Sequence, residues 1–429
     1  MEELKSLGFE RKYFMQTKNK IFAGALAVVV AAILWSLDGT FLRPRLASVS
    51  PTFIVFLEHT LGFIILLPFL FIYKLELKKI TKKQWGTIFW VALFGGALGT
   101  TFFTKALFLT GFVDISVVIL LQKFQPIFAI ILSAIILRER FPAKFYIYAL
   151  LALIGGYFVT FKDPGSIDFG SATTMIAVFS LLAAFSWGSS TTFGKYSLKN
   201  INYGLLTALR FGFTIIIMLI PALKYFSTLS SIESSVWKTL MIVVFTSGAV
   251  AMYLYYYGLK KIPASLATLC ELAWPVSAIV FDYFFNHNIL SATQIIGAII
   301  LILAVTLATR LNKTNIISGM VLTGHGNGEK TGARTANLDI SLAKNLAKGL
   351  YSCRVDLDGT SYRGLMYYGF NSLTQKDCLE IHVLGFNGDL YDKNITASTE
   401  RYLRFPKKFK SVEKLSEQIK KDLAQSFSD

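Results

Sequence analysis

The sequence predicts a multi-domain chain: an all-α polytopic membrane protein of ten spans, built as two inverted five-helix repeats, followed by a small β-barrel domain with a C-terminal helix. Three observations predict it. Charge density changes near residue 317, apolar stretches of spanning length recur before that point, and one set of those stretches repeats the other. Residues 1–317 of the 429 hold 27 Lys and Arg with 13 Asp and Glu, about one charge in eight positions, against roughly a quarter in soluble domains. Residues 318–429 hold 16 and 13, a soluble density. With 37 Phe and a mean hydropathy of +0.53, a single water-soluble enzyme, a disordered chain and a collagen-like chain are excluded.

Residues 1–20 are polar and basic, and the apolar run that follows is too long for a cleaved signal, so it reads as the first span. Apolar stretches fall at about 21–40, 52–73, 86–109, 115–137, 145–161, 171–192, 203–223, 238–257, 263–285 and 291–309. Basic residues collect at the N-terminus and in the breaks Lys74 to Lys83, Arg138 to Lys144, Lys195 to Lys199 and Lys260-Lys261. This bias places both termini in the cytoplasm of a cell membrane protein and accounts for a net charge of +17 without a nucleic-acid partner. The three cysteines follow no metal spacing, and their odd number argues against a closed disulfide framework.

The repeat appears at an offset of 152, where Trp35, Thr40, Phe41, Arg43 and Leu46 fall on Trp187, Thr192, Phe193, Lys195 and Leu198. Later in each half, Gln125-Pro126 answers Trp274-Pro275. Five spans per repeat is odd, so the halves are inverted, and a substrate site is expected near the midplane where they meet. These features resemble the EamA-like branch of the drug/metabolite transporter superfamily over residues 21–310, with repeats at about 21–161 and 171–310. The resemblance implies a carrier of small metabolites with a central cavity.

Ionisable and polar side chains inside spans are functional suspects. Glu58 and Arg210 occupy equivalent positions, set to pair across the pseudo-two-fold axis or for Glu58 to take a proton on a coupling-ion path. Gln122, Gln125 and Glu271 precede helix-interrupting prolines and are expected to line the cavity. Trp35, Trp187 and Trp274 join them as cavity residues, Trp187 and Trp274 either stacking a planar ring or anchoring at the interface, while Asp38, Lys105, Lys123 and Asp282 sit close to span ends and are either functional groups or interfacial ones.

After a linker at 311–317, residues 318–429 change to short strands at Ser318–Leu322, Gly349–Leu357, Ser361–Tyr368, Cys378–Leu384 and Leu390–Leu403. A helix follows, capped by Ser411, with Val412, Leu415, Ile419 and Leu423 as its apolar stripe. The loop Gly324-His325-Gly326-Asn327-Gly328-Glu329-Lys330-Thr331-Gly332 lets backbone N–H groups approach phosphate, although it lacks the Walker A spacing. Strand alternation puts Glu380 and His382 on one face, opposite Leu379, Ile381 and Val383.

That loop, then Thr335-Ala336-Asn337, Leu379 to Leu384, and Phe386-Asn387-Gly388-Asp389-Leu390-Tyr391 resemble riboflavin kinase in order and spacing, over about residues 317–427. The resemblance implies transfer of the γ-phosphoryl group of Mg²⁺-bound ATP to riboflavin, giving FMN. It assigns Gly324, Gly326 and Gly328 to the nucleotide phosphates, Thr335 and Asn337 to phosphate and Mg²⁺, and Glu380 to the base. Ala333-Arg334 replaces the family's Phe-Pro, Asn327 and Glu329 replace loop arginines, and Gly385 stands where Asp is common. The adenylyltransferase portion of many bacterial relatives has no counterpart, so FAD is not the implied product.

Two readings follow. In the first, a riboflavin uptake carrier delivers its cargo to its own kinase domain. In the alternative, the chain transports another metabolite, such as an amino acid or a drug, and a degenerate kinase-like domain is a flavin-binding regulator. Lipid bilayer and a small-molecule substrate are the expected partners, and a homodimer is left open.

Overall fold

The computed structural model describes residues 2–110, 118, 121–160, 173–286, 291–311, 315–322, 335–344, 346–371, 375–386, 388–407, 409 and 412–426. The chain forms two compact units: residues 20–139 with 147–309, and residues 310–429 with 1–19 and 140–146.

Among the described residues, the helical unit has eight helices long and apolar enough to cross a membrane: Lys20–Leu46, Pro51–Ile72, Lys82–Leu109, Thr174–Ser197, Tyr203–Ser231, Ser234–Lys261, Ala264–Phe285 and Ala292–Leu311. The two other expected spans are shorter. The expected 115–137 helix is broken by a turn at Lys123 and Phe124 and resumes as Gln125–Ile136, where Pro126 starts the new helix without needing an N–H partner. The expected 145–161 span is the 18-residue helix Ala143–Thr160, near the minimum length for a bilayer core. Large apolar side chains point away from the unit's interior, with Ile220 77%, Phe71 69% and Ile64 62% exposed, as lipid-facing surface requires.

Among the described residues, three spans carry π-helical turns, at Asp38–Leu42, Val91–Leu98 and Val244–Gly248. The last two lie at equivalent places in the two repeats. A π turn widens the helix and frees main-chain carbonyls for other donors. Helices Ala143–Thr160 and Ala292–Leu311 pack backbone to backbone: a Cβ on Gly155 would lie 2.8 Å from Leu301 N, and one on Gly297 2.7 Å from Val159 N.

The second unit is built on six antiparallel strands: β1 (Ile316–Met320), β2 (Ala336–Leu338), β3 (Gly349–Leu357), β4 (Thr360–Asn371), β5 (Lys376–Val383) and β6 (Asn394–Arg404). Their order is β1-β6-β3-β4-β5-β2, and a bridge between Leu322 and Asn337 nearly closes the sheet into a barrel. Strands β3 and β4 meet in a two-residue hairpin, Asp358-Gly359, both with positive φ as a type I′ turn requires. Val355, Met366, Ile381 and Ala397 fill the interior at 0% exposure. The helix Val412–Ser426 lays Leu423 on a patch of Leu350, Leu365 and Leu403. Its Asp422, 3% exposed, accepts from Arg404 Nη2 at 2.8 Å and from Arg404 Nε at 3.0 Å. Ser411 lies outside the described residues.

Candidate functional site

In the helical unit, the breaks in two helices face one cavity of about 190 Å³. One is the turn at Lys123 and Phe124; the other is the turn at Glu271 and Leu272, between helices Ala264–Cys270 and Ala273–Asn286. Interrupted helices expose unpaired main-chain groups at membrane depth, which is tolerated only where they line a polar cavity. The structure brings all eight sequence-predicted cavity residues, Trp35, Glu58, Gln122, Gln125, Trp187, Arg210, Glu271 and Trp274, to the wall of this cavity.

The polar wall is a connected network. Gln122 donates to Gln125 at 3.0 Å, Gln125 donates to Glu271 at 2.6 Å across the two halves, and Tyr255 donates to the other Glu271 oxygen at 2.9 Å. Tyr255 also shares a hydrogen with Thr191 at 2.6 Å and packs its ring 5.3 Å from that of Trp35. The two aligned tryptophans hydrogen-bond to freed carbonyls of the opposite half: Trp35 Nε1 to Ser247 O at 2.9 Å and Trp187 Nε1 to Gly95 O at 3.2 Å.

The expected pairing of Glu58 with Arg210 is not made. Glu58 lies 2.9 Å from Arg43, which also donates to Asp38 at 2.5 Å; all three are buried. Arg43 reaches Glu58 because the π turn Asp38–Leu42 and the short helix Arg43–Leu46 fold the chain back toward the helix Pro51–Ile72. Arg210 donates instead to Gly95 O at 2.6 Å and Tyr256 Oη at 3.2 Å. At 6% and 7% exposure, neither Glu58 nor Arg210 snorkels to an interface. Asp38 and Lys123 are buried cavity-lining groups, so of their two expected places the interface is not the one they take. Lys105 contacts the Phe179 ring, and the Asp282 side chain lies outside the described residues.

In the barrel, antiparallel register sets Asn337 directly opposite Glu380, and Tyr367 opposite Glu380 on the other side. Leu379, Ile381 and Val383 are buried, leaving Glu380 and His382 half-buried on the other face, as the alternation predicts. Asn371 donates to Glu380 Oε1 at 3.0 Å. Thr335 and Asn337 are half-buried and two residues apart, so both occupy one side of the extended segment. Burial pushes the Tyr367 hydroxyl up to about 12, and burial together with the Glu380 carboxylate raises the Cys378 thiol. Gly324, Gly326 and Gly328 lie outside the described residues, as does Ala333-Arg334. No group of three or more His, Cys, Asp or Glu side chains is arranged for a metal among the described residues.

The sequence profile of the EamA-like transporter family matches residues 22–161 and 174–310. The chain belongs to the EamA-like transporter family. A second profile, that of riboflavin kinase, matches residues 311–427. This EamA-like transporter is 43% identical over 296 residues to the riboflavin transporter ImpX of Fusobacterium nucleatum subsp. nucleatum, covering 67% of this chain and 98% of that protein. Its second domain is 35% identical over 111 residues to the bifunctional riboflavin kinase/FMN adenylyltransferase of Pseudomonas fluorescens, covering 25% of this chain and 36% of that one. A crystal structure of a protein 18% identical superposes with a TM-score of 0.55 over 67% of this chain and 96% of its own, a likeness of fold.

Four charged or imidazole side chains on the cavity wall of this EamA-like transporter, Asp38, Arg43, His59 and Lys123, are not among the eight cavity residues expected from the sequence. The His59 ring packs against that of Phe211, tilted by 37° with centroids 4.8 Å apart. Since Phe211 is the repeat equivalent of His59, applying the offset one residue beyond Glu58 and Arg210 was the signal that would have found the pair.

Proposed function

We propose that the helical domain carries riboflavin into the cell through the cavity between its halves, and that the second domain phosphorylates it with ATP to give FMN. The observation that carries this reading is the pairing, in one chain, of 43% identity across nearly all of a riboflavin transporter with a riboflavin kinase domain. The cavity supplies aromatic faces in Trp35, Trp187 and Trp274, and hydrogen-bonding groups in Gln122, Gln125 and Glu271, suited to a flat heterocycle with a polyhydroxyl tail.

In the kinase domain, Glu380 is the base that takes the proton of the attacking hydroxyl, held by Asn371. Thr335 and Asn337 offer only hard oxygen atoms, the donor set that suits Mg²⁺ bound mainly through ATP phosphates. They would hold that ion and the phosphates, with Gly324, Gly326 and Gly328 along the nucleotide. Mg²⁺ neutralises charge on the transferring phosphoryl group, and the protein's task is positioning. With both termini cytoplasmic, the product forms inside. Phosphorylation adds about −1.5 to −2 charges, which hinders return through the membrane. The direct test is growth of a riboflavin-auxotrophic strain without its own carrier on limiting riboflavin: expression of the chain lowers the concentration needed, and no change would contradict uptake.

A further inference from the structure

Among the described residues, the cavity holds three cations and three carboxylates, and their pairing is uneven. Asp38 and Glu58 are both met by Arg43. Glu271 is met by the neutral donors Tyr255 and Gln125. Arg210 is used on a carbonyl and a tyrosine hydroxyl. Lys123 is left. It is 7% exposed, lies on the turn that interrupts its helix, and no carboxylate pairs with it among the described residues. Its Nζ stands 5.2 Å from the centre of the Trp274 ring, and that indole rests against Gly39, where a Cβ would come within 3.1 Å of Cζ2. Lys123 thus places a cation on the cavity wall with a ring face beside it and no carboxylate partner among the described residues. A ligand that covers the indole and brings acceptor atoms at its own edge satisfies both groups.

We propose that Lys123 and Trp274 form the subsite for the isoalloxazine ring, with Trp274 against its face and Lys123 donating to the N1 and C2-carbonyl edge. This rests on the riboflavin reading and adds which end of the substrate lies at the helix break. The ribityl hydroxyls then face the Arg43, Asp38 and Glu58 cluster, which offers both donors and acceptors.

The test is competition against initial uptake of labelled riboflavin by cells expressing the full chain. The competitors are riboflavin, 1-deazariboflavin, which replaces N1 by CH, and 5-deazariboflavin, which keeps N1. Loss of a hydrogen bond to a charged donor predicts that 1-deazariboflavin competes about tenfold less well than riboflavin, while 5-deazariboflavin competes equally. Lys123→Met raises the half-saturation concentration about tenfold and erases the difference between the two deaza compounds; Lys123→Arg keeps it. Wild-type half-saturation in a normally inserted Lys123→Met, or equal competition by both deaza compounds in the intact chain, overturns the assignment and leaves riboflavin uptake standing. If Lys123→Met fails to insert, the deaza series on the intact chain decides alone. Absence of riboflavin uptake by the intact chain overturns the assignment and the uptake reading together.

Discussion

Trp35 and Trp187 exchange hydrogen bonds between the two halves of the carrier: Trp35 donates to Ser247 O at 2.9 Å and Trp187 donates to Gly95 O at 3.2 Å. The donors are 152 residues apart, and so are the acceptors. Both acceptors lie in π-helical turns. The π turns free the carbonyls, and the tryptophans cross the pseudo-two-fold axis to use them, so each half holds the other at its widest helical turn.

Because the two contacts are equivalent, Trp35→Phe and Trp187→Phe should act alike. Each removes one partly buried hydrogen bond, a loss of about 1 kcal/mol, or roughly fivefold in the balance of two carrier conformations. Uptake rates of the two variants at equal membrane level are expected to fall several-fold and to agree within about twofold. A large effect from one and none from the other would mean that only one contact matters.

Arg43 is the hinge of the buried charge cluster. Arg43→Met leaves Asp38 and Glu58 together without a cation, at a cost on the order of 3–5 kcal/mol, whereas Glu58→Gln leaves the Asp38 pair intact and costs less. Thermal unfolding of purified protein in detergent ranks them. Arg43→Met should fall furthest, and an equal loss from Glu58→Gln would show that the cluster is not organised by Arg43.

The second domain has its own ion pair, between a buried Asp422 and a half-buried Arg404. Asp422→Ala strands the Arg404 guanidinium, which Asp422 otherwise meets with both oxygens, and is expected to destabilise the domain by about 3 kcal/mol. Limited proteolysis of the full chain should then release fragments from residues 310–429 while the helical unit resists. Unchanged protease resistance would count against a structural role for the pair.

Cys378 tests the electrostatics around Glu380. Burial and then the Glu380 carboxylate raise its thiol, so the thiolate is scarce at neutral pH and grows only as pH climbs past the usual thiol value of about 8.5. Iodoacetamide labelling at Cys378 should rise without a plateau through pH 9 and reach a given rate at lower pH in Glu380→Gln. The same pH course of labelling in both proteins would place the carboxylate elsewhere.

The repeat made much of the cavity readable, because Trp35, Trp187, Glu58 and Arg210 keep one offset and inverted halves must bring equivalent positions toward a common axis. What escaped was set by tertiary contact. Arg43 stands beside Pro44 in a short polar connection and looks interfacial; only the fold-back of Arg43–Leu46 sends its side chain to Glu58. Lys123 lies beside an expected helix interruption at Pro126, but its sequence position leaves open whether it faces the cavity or an interface, and the turn at Lys123 and Phe124 settles it on the cavity wall. In the barrel, β2 is three residues long, below the length at which alternation signals a strand, yet it carries Asn337 and sets it opposite Glu380.

Carriage and phosphorylation of riboflavin are proposed to belong to one chain. The most direct test is accumulation of labelled riboflavin in auxotrophic cells, with intracellular FMN separated from riboflavin, for the intact protein and Glu380→Gln. The account predicts that both equilibrate riboflavin, that only the intact chain accumulates label above the external level, and that this excess is FMN, formed about 10²- to 10⁴-fold more slowly by the variant. Riboflavin uptake that leaves no more FMN with the intact chain than with Glu380→Gln would contradict it.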